Sequence, residues 1–350
     1  MKPKFFLGLI GLTVLALGLA LFLSQPDTVD PDSLPSEELV PGLKAQVNDI
    51  ERLTIGVGTD EPVQLVRSEE RWRVTNAEGY EADFELVYQV LRDLASGERA
   101  EPRTSNPDWH ERLGVAGARV GESDAPGSFL VSFPGTELPE LIIGRPGPAG
   151  ESRFVRLAGE DQVWLSDRDV SIPPTVLDWL QRSIMDIPAP ELAEITLRHA
   201  DGEVVQLRPA DDTGIQWVLM NVPEGREAQP AWQLNSAANA LSSLQLDGVR
   251  RHEASPEDSS AALFVTRDGL NFVATLFEDD VGSWVNFSVT AEVAASGEEE
   301  TLSEEAASVS ADAAAVDARL SPWAFQLSAD KYEQMTRRLE SLLLELEADS

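Results

Sequence analysis

Two stretches of the chain are written in the same pattern, and this repetition constrains the fold more than any single motif. Ile50–Leu65 reads IERLTIGVGTDEPVQL and Leu192–Leu207 reads LAEITLRHADGEVVQL. Aligned without gaps, Ile50 meets Leu192, Leu53 meets Ile195, Thr54 meets Thr196 and Ile55 meets Leu197. Val63, Gln64 and Leu65 then meet Val205, Gln206 and Leu207. After a small insertion Trp72 meets Trp217 and Val74 meets Leu219. Further on, Phe84, Val87, Val90, Leu91 and Leu94 meet Leu234, Ala237, Ala240, Leu241 and Leu244. Alternating apolar residues predict two or three strands in each copy, with turns at Thr59-Asp60-Glu61-Pro62 and at Asp201-Gly202. The helical spacing of Phe84, Val87, Val90, Leu91 and Leu94 then predicts an amphipathic helix, with Asp83 as N-cap and Gly97 as stop.

The later parts echo one another as well. Strand-like runs at Ser128–Phe133, Leu138–Ile143, Arg153–Leu157 and Gln162–Leu165 are followed by a short helix around Leu177, Trp179 and Leu180. In the second half the runs are Ala261–Thr266, Asn271–Glu278, Ser283–Val289 and Trp323–Leu327, followed by a closing helix from Ala329. This order predicts an α+β fold: two repeated lobes, 47–188 and 189–350, each an antiparallel sheet with a helix packed on it. A length of 350 residues suits two such units. Residues 291–318 break the pattern with alanine, serine and acidic residues, including Glu298-Glu299-Glu300, and read as a disordered insertion. They lack the fixed alternation and turn glycine of a calcium loop.

Ahead of the first lobe, Phe5–Leu23 is an apolar run of roughly 19 residues, about 28 Å as a helix and close to the ~30 Å hydrocarbon core of a bilayer. Lys2 and Lys4 precede it, and Asp27, Asp30, Asp32, Glu37 and Glu38 follow. The positive-inside rule then keeps the N-terminus cytoplasmic and exports everything after Ser24, the topology of a single-pass membrane protein. The competing reading is a cleaved signal peptide, which needs small residues at −3 and −1; Phe22 stands at −3 if Ser24 is −1. Residues 1–23 are thus expected to be a transmembrane anchor, and 24–46, rich in Pro, Asp, Ser and Glu at its start, a flexible acidic tether.

The formal net charge of −34 excludes nucleic acid as an expected partner, since no basic surface is available to displace counterions from phosphates. It also argues against the body lying flat on anionic lipid. Lysine occurs only at Lys2, Lys4, Lys44 and Lys331, so arginine carries the positive charge. Such a surface suits a salty medium, where self-repulsion is screened. The absence of cysteine removes disulfides, thiolate metal sites and thiol nucleophiles.

No constellation points to a reaction, and no catalytic, cofactor-binding or metal-binding residue is expected. His110, His199 and His252 have no partner at zinc-motif spacing. Gly56-Val57-Gly58 follows a strand but opens no helix, and no nucleophile elbow occurs. Ser328-Ala329-Asp330-Lys331 matches a serine–lysine motif in form, yet Ser328 reads as the N-cap of the closing helix. Arg250-Arg251 and Arg337-Arg338 are isolated pairs. With 61 acidic residues, carboxylate pairs of the glycosidase kind carry no information. Tryptophans 72, 109, 164, 179, 217, 232, 284 and 323 either anchor the cores or line a sugar- or peptide-binding groove. Tyr332, Met335, Leu339, Leu342 and Leu346 form a stripe on the closing helix, which packs on its own sheet or offers a two-heptad seam to a partner.

Several short motifs carry a family resemblance. They are Leu39-Val40-Pro41-Gly42-Leu43, Val47-Asn48-Asp49-Ile50, Glu101-Pro102-Arg103-Thr104-Ser105-Asn106-Pro107, Arg112-Leu113-Gly114-Val115, Leu141-Ile142-Ile143-Gly144, Gln162-Val163-Trp164-Leu165, Asp178-Trp179-Leu180 and Asp186-Ile187-Pro188. As a set they resemble the domain of unknown function 4340 family, over nearly the whole chain apart from the acidic insertion. The resemblance implies a single-span envelope protein, of a kind often encoded beside auxiliary components of a gliding-motility-type ABC transporter. It brings no catalytic residues. The expectation is a non-enzymatic accessory or scaffold protein, held in the membrane by its N-terminal helix, with envelope proteins such as ABC-type transporter components as partners. The alternative is a periplasmic glycan- or peptide-binding protein or hydrolase that uses acidic and tryptophan side chains.

Overall fold

The computed structural model of the protein describes residues 36–57, 61–117, 128–148, 150–291 and 304–345. The expected anchor, most of the expected tether, the Thr59-Asp60 part of the first turn, Leu346 and the Glu298-Glu299-Glu300 run lie outside the described residues. Among the described residues no helix is long and apolar enough to cross a membrane.

The fold is α+β and dominated by antiparallel sheets. The strands of the first half are β1 (Glu37–Glu38), β2 (Arg52–Val57), β3 (Val63–Ser68), β4 (Arg71–Val74), β5 (Tyr80–Glu81), β6 (Glu98–Thr104), β7 (Phe129–Ser132), β8 (Leu141–Pro146), β9 (Arg153–Leu157) and β10 (Val163–Ser166). After β11 (Ser183–Met185) come β12 (Leu192–Arg198), β13 (Val204–Pro209), β14 (Trp217–Leu219), β15 (Leu244–Gln245), β16 (Gly248–Arg251), β17 (Ser260–Thr266), β18 (Leu270–Glu278), β19 (Ser283–Ala291) and β20 (Trp323–Gln326). The first sheet runs β1-β6-β10-β9-β8-β7-β2-β3-β4-β5 and the second β14-β13-β12-β17-β18-β19-β20-β16. Taken from β4 and from β14 onward, the two orders coincide strand for strand through β6 and β16.

The coincidence extends to register. Leu53 faces Leu65 and Thr54 faces Gln64 in the first sheet, while Ile195 faces Leu207 and Thr196 faces Gln206 in the second. One asparagine after each third strand also takes the same part. Asn76 Oδ1 accepts the Gln64 backbone N–H at 2.8 Å, and Asn221 Oδ1 accepts that of Gln206 at 3.0 Å. The alternation read from the sequence explains this arrangement, because a one-residue slip would turn every apolar side chain to the wrong face.

The helix Phe84–Ser96 forms where its spacing places it. Val87, Val90, Leu91 and Leu94 are buried, Asp83 Oδ1 accepts the Leu86 N–H at 3.0 Å, and Gly97 caps the end. Gly97 is required there: a Cβ would come within 2.8 Å of the Asp93 carbonyl and 2.9 Å of Leu39. Its counterpart is shorter. The helix Ala231–Ala238 stops at Asn239, and Leu244 lies in β15. One continuous core joins the halves. β11 pairs with β15, and the Tyr80 ring meets Trp323 edge-on at 5.0 Å.

Three expectations need correction. First, the end of the 24–46 tether is built into the first lobe. Glu37 and Glu38 pair with Arg99 and Glu98, and Leu39, Val40 and Leu43 are fully buried. These apolar residues end the polar composition earlier than 46, and burying each contributes roughly 1.5–3 kcal/mol. Second, the 291–318 insertion holds a helix, Glu304–Leu320. Alanine is the best helix former, and Ala313 and Leu320 are buried while the Asp317 carboxylate accepts the Val289 N–H at 2.8 Å. Third, the closing helix is a short one, Ala329–Met335; the chain then makes a 3-10 turn, and Leu343 bridges to Ala228. The described part of its stripe is therefore spent on the protein's own core: Met335, Leu342 and Leu343 are buried, with Tyr332 and Leu339 packed against them.

Candidate functional site

The residues singled out in the sequence are mostly structural. His110 is buried with Nε2 2.9 Å from the Asp161 carbonyl oxygen, and His199 is buried with Nε2 3.1 Å from that of Arg337. Ser328 caps its helix by accepting the Lys331 N–H at 3.4 Å, while Lys331 Nζ donates to the carbonyls of Asn239 and Ser242 at 2.8 and 2.7 Å. Burial lowers the Lys331 pKa. Tryptophans 72, 164, 179, 217, 284 and 323 are buried, and only Trp109 and Trp232 are well exposed. Among the described residues no group of His, Asp or Glu is placed to hold a metal ion.

The two arginines of the Arg250-Arg251 pair are not isolated in space. The Arg251 guanidinium lies 3.9 Å from the centre of the Trp323 ring, and that of Arg250 lies 4.0 Å from the Trp284 ring. Arg250 also pairs with Asp279 at 2.8 Å. Burial works against the Asp279 charge, but the Trp284 indole N–H (2.9 Å), the N–H groups of Val281 (2.9 Å) and Gly282 (3.2 Å) and the Arg250 guanidinium outweigh it. The carboxyl is held at about 2. A carboxyl depressed in the folded state gives stability that is present above its unfolded value of about 3.9 and is lost as pH falls towards the folded value. Asp279→Asn is therefore expected to flatten the acid limb of the stability profile between about pH 4 and pH 2. Chemical denaturation of parent and variant across that range measures it; parallel profiles would rule the assignment out.

A concavity with an apolar lining belongs to the first lobe. It is a cavity of about 310 Å³ between the helix Phe84–Ser96 and the segment Lys44–Asn48, with Trp72 in its floor. Leu91 and Ala95 supply an apolar wall. Phe84 and Tyr88, one turn apart on the helix, stack with ring centres 6.3 Å apart and are 59% and 56% exposed. Three cations, Lys44, Arg67 and Arg92, stand around it, and among the described residues no carboxylate lines it. Arg67 is steadied by donating to the Asn48 carbonyl at 2.7 Å, and Arg92 has Asp93 at 3.8 Å. In a chain of net charge −34 this is an island of opposite sign. An apolar trough with cationic walls can hold an amphipathic, negatively charged segment. Sequence spacing had assigned Phe84 to the core; its place at the first turn leaves it in solvent instead. Nothing in the sequence linked Lys44, Arg67 and Arg92, which the fold brings together from three elements.

No curated protein and no solved structure matches the chain. The family described as Domain of unknown function (DUF4340) matches residues 72–263, from β4 of the first sheet into β17 of the second. The matched stretch covers more than half of the chain and includes the helix Phe84–Ser96, so the protein belongs to the DUF4340 family.

Proposed function

We propose that this protein is a non-enzymatic accessory or scaffold protein of the bacterial cell envelope, anchored in the inner membrane by Phe5–Leu23, with its body in the periplasm and an ABC-type transport system as its partner. The apolar run with Lys2 and Lys4 before it and acidic residues after it supports the topology. The family resemblance supports the transporter association. The observation that carries the scaffold role is the groove: stacked, exposed Phe84 and Tyr88 beside an apolar trough ringed by Lys44, Arg67 and Arg92. Its occupant is an acidic amphipathic segment of a partner protein, since the charge around the groove is opposite to that of the rest of the chain. Six of the eight tryptophans on which a glycan-binding or hydrolytic reading would draw are taken up by the cores.

The test uses the full-length chain in cells, with a photo-crosslinking amino acid at Tyr88. The expected product is an adduct with a transporter subunit that is lost when Lys44→Glu and Arg92→Glu are combined. An adduct unchanged by the charge reversal, or none at Tyr88 when the same probe at Trp232 captures the transporter, would overturn the groove as the docking surface.

A further inference from the structure

A second concavity lies where the two halves meet, and its chemistry differs from that of the groove. It measures about 300 Å³ and is lined by Arg71 and Arg73 of β4, Tyr80 and Glu81 of β5, Arg319 at the end of the helix Glu304–Leu320, and Trp323 of β20. Arg71 and Arg73, two residues apart on one strand, share a face. Arg73 Nη1 donates to the Gly79 carbonyl at 3.1 Å, and Arg319 Nη1 donates to that of Ile184 at 3.0 Å, so both forks are held from behind. Arg251, stacked on Trp323, adds a further positive charge beside the cavity.

These arginines carry their charge without an ion-pair partner. Several other arginines are matched to a carboxylate: Arg99 with Glu37 at 2.7 Å, Arg153 with Asp169 at 2.7 Å, Arg208 with Glu194 at 2.6 Å and Arg226 with Glu340 at 2.8 Å. Among the described residues none of Arg71, Arg73 and Arg319 has a carboxylate within ion-pair distance. With 61 acidic residues against 27 basic ones, carboxylates are not scarce. Gathering three guanidinium groups around a single carboxylate leaves like-charge repulsion that costs folding energy, and an anion that enters relieves it. Guanidinium forks match the oxygens of a phosphoryl group, which accepts several N–H donors at once. Tyr80 adds an O–H donor, kept protonated because burial pushes its pKa up to about 12 despite nearby Arg319. Glu81, the one carboxylate among the described lining residues, lies across from Arg73 in the β4–β5 pair and accepts hydrogen bonds only.

We infer that the junction cavity binds a small phosphate ester whose organic part carries hydroxyl groups, with the phosphate on Arg71, Arg73 and Arg319 and a hydroxyl donated to Glu81. The volume exceeds that of one phosphate and leaves room for a three-carbon polyol. The ester can be soluble or the headgroup of a lipid, and the two sources are separated by experiment.

Binding of glycerol 3-phosphate, inorganic phosphate and phosphatidylglycerol vesicles is measured by calorimetry with the full-length chain in a nonionic detergent or in neutral-lipid nanodiscs, at low ionic strength. The expected result is saturable binding of glycerol 3-phosphate, weakened about tenfold or more by Arg71→Gln and by Arg319→Gln and unchanged by Arg103→Gln on the outer surface. Arg71 is exposed, so its variant retains the fold, which circular dichroism verifies. Vesicle binding with the same variant pattern assigns the ester to a lipid headgroup, and soluble-ester binding alone assigns it to the aqueous phase. No saturable binding of either ester, or binding indifferent to both variants, overturns the site. Inorganic phosphate bound as tightly as the ester overturns the role given to Glu81.

Discussion

Replacing Trp217 with alanine is expected to lower the stability of the folded body by about 3–5 kcal/mol. Its side chain is fully buried in the second lobe, at the start of β14. The indole N–H donates to the Gly214 carbonyl at 3.1 Å, and the Trp217 backbone N–H is received by Asn235 Oδ1 at 3.1 Å. Truncation therefore opens a cavity and strips one carbonyl of its donor. Denaturant midpoints with an unchanged slope give the loss directly. Trp72→Ala, at the equivalent position of the first lobe, is expected to cost less, because Trp72 borders the open groove where water can refill the space. Equal and small losses at both positions would show that the tryptophans do not hold the cores.

Arg156→Met is expected to cost about 2–4 kcal/mol, although methionine fills much of the same space. Arg156 on β9 is 5% exposed. Its Nε donates to the Val115 carbonyl at 2.9 Å, Nη1 to that of Glu160 at 2.7 Å, and Nη2 to that of Ala116 at 3.3 Å. Burial lowers its pKa, with the charge of Asp161 opposing that shift. One side chain thus satisfies three carbonyls from two separate loops, and losing it leaves all three without a donor. Arg156→Lys is expected to recover only part of the loss, since an ammonium cannot reach three acceptors in the geometry of a planar fork. Thermal unfolding of both variants beside the parent decides it, and a Met variant as stable as the parent would contradict the account.

The elements that could be read in the sequence are those whose pattern is carried by their own residues. The helix Phe84–Ser96 combined spacing, cap and stop, and β17, β18 and β19 alternate over seven to nine residues. Several strands were invisible, among them β6 and β16. β6 reads ERAEPRT and contains Pro102, and β16 reads GVRR. They occupy the same place in the two sheet orders, each beside the strand that closes its half, β10 or β20. Charged residues and a proline predict no strand; the neighbouring strand supplies the hydrogen bonds that make them one. The helix Glu304–Leu320 was hidden in a different way. Among the described side chains of that helix, only Ala313, Val316 and Leu320 reach the core, at helical spacing, within a run otherwise of linker-like composition. The groove and the junction cavity could not be read at all. Each draws its charged residues from positions scattered along the chain, and only the sheet order brings them together.

The loop that joins β9 to β10 spans just Ala158–Gln162, whereas the corresponding stretch of the other half, between Ala291 and Trp323, makes room for an entire extra helix. Lengthening a hairpin tip costs little, because closure entropy grows only with the logarithm of loop size. That tip is accordingly the natural port for an engineer. A fluorescent reporter spliced between Gly159 and Glu160 would leave the first half at the tip that carries the added helix in the second, with the hydrogen-bonded ladder on either side in place.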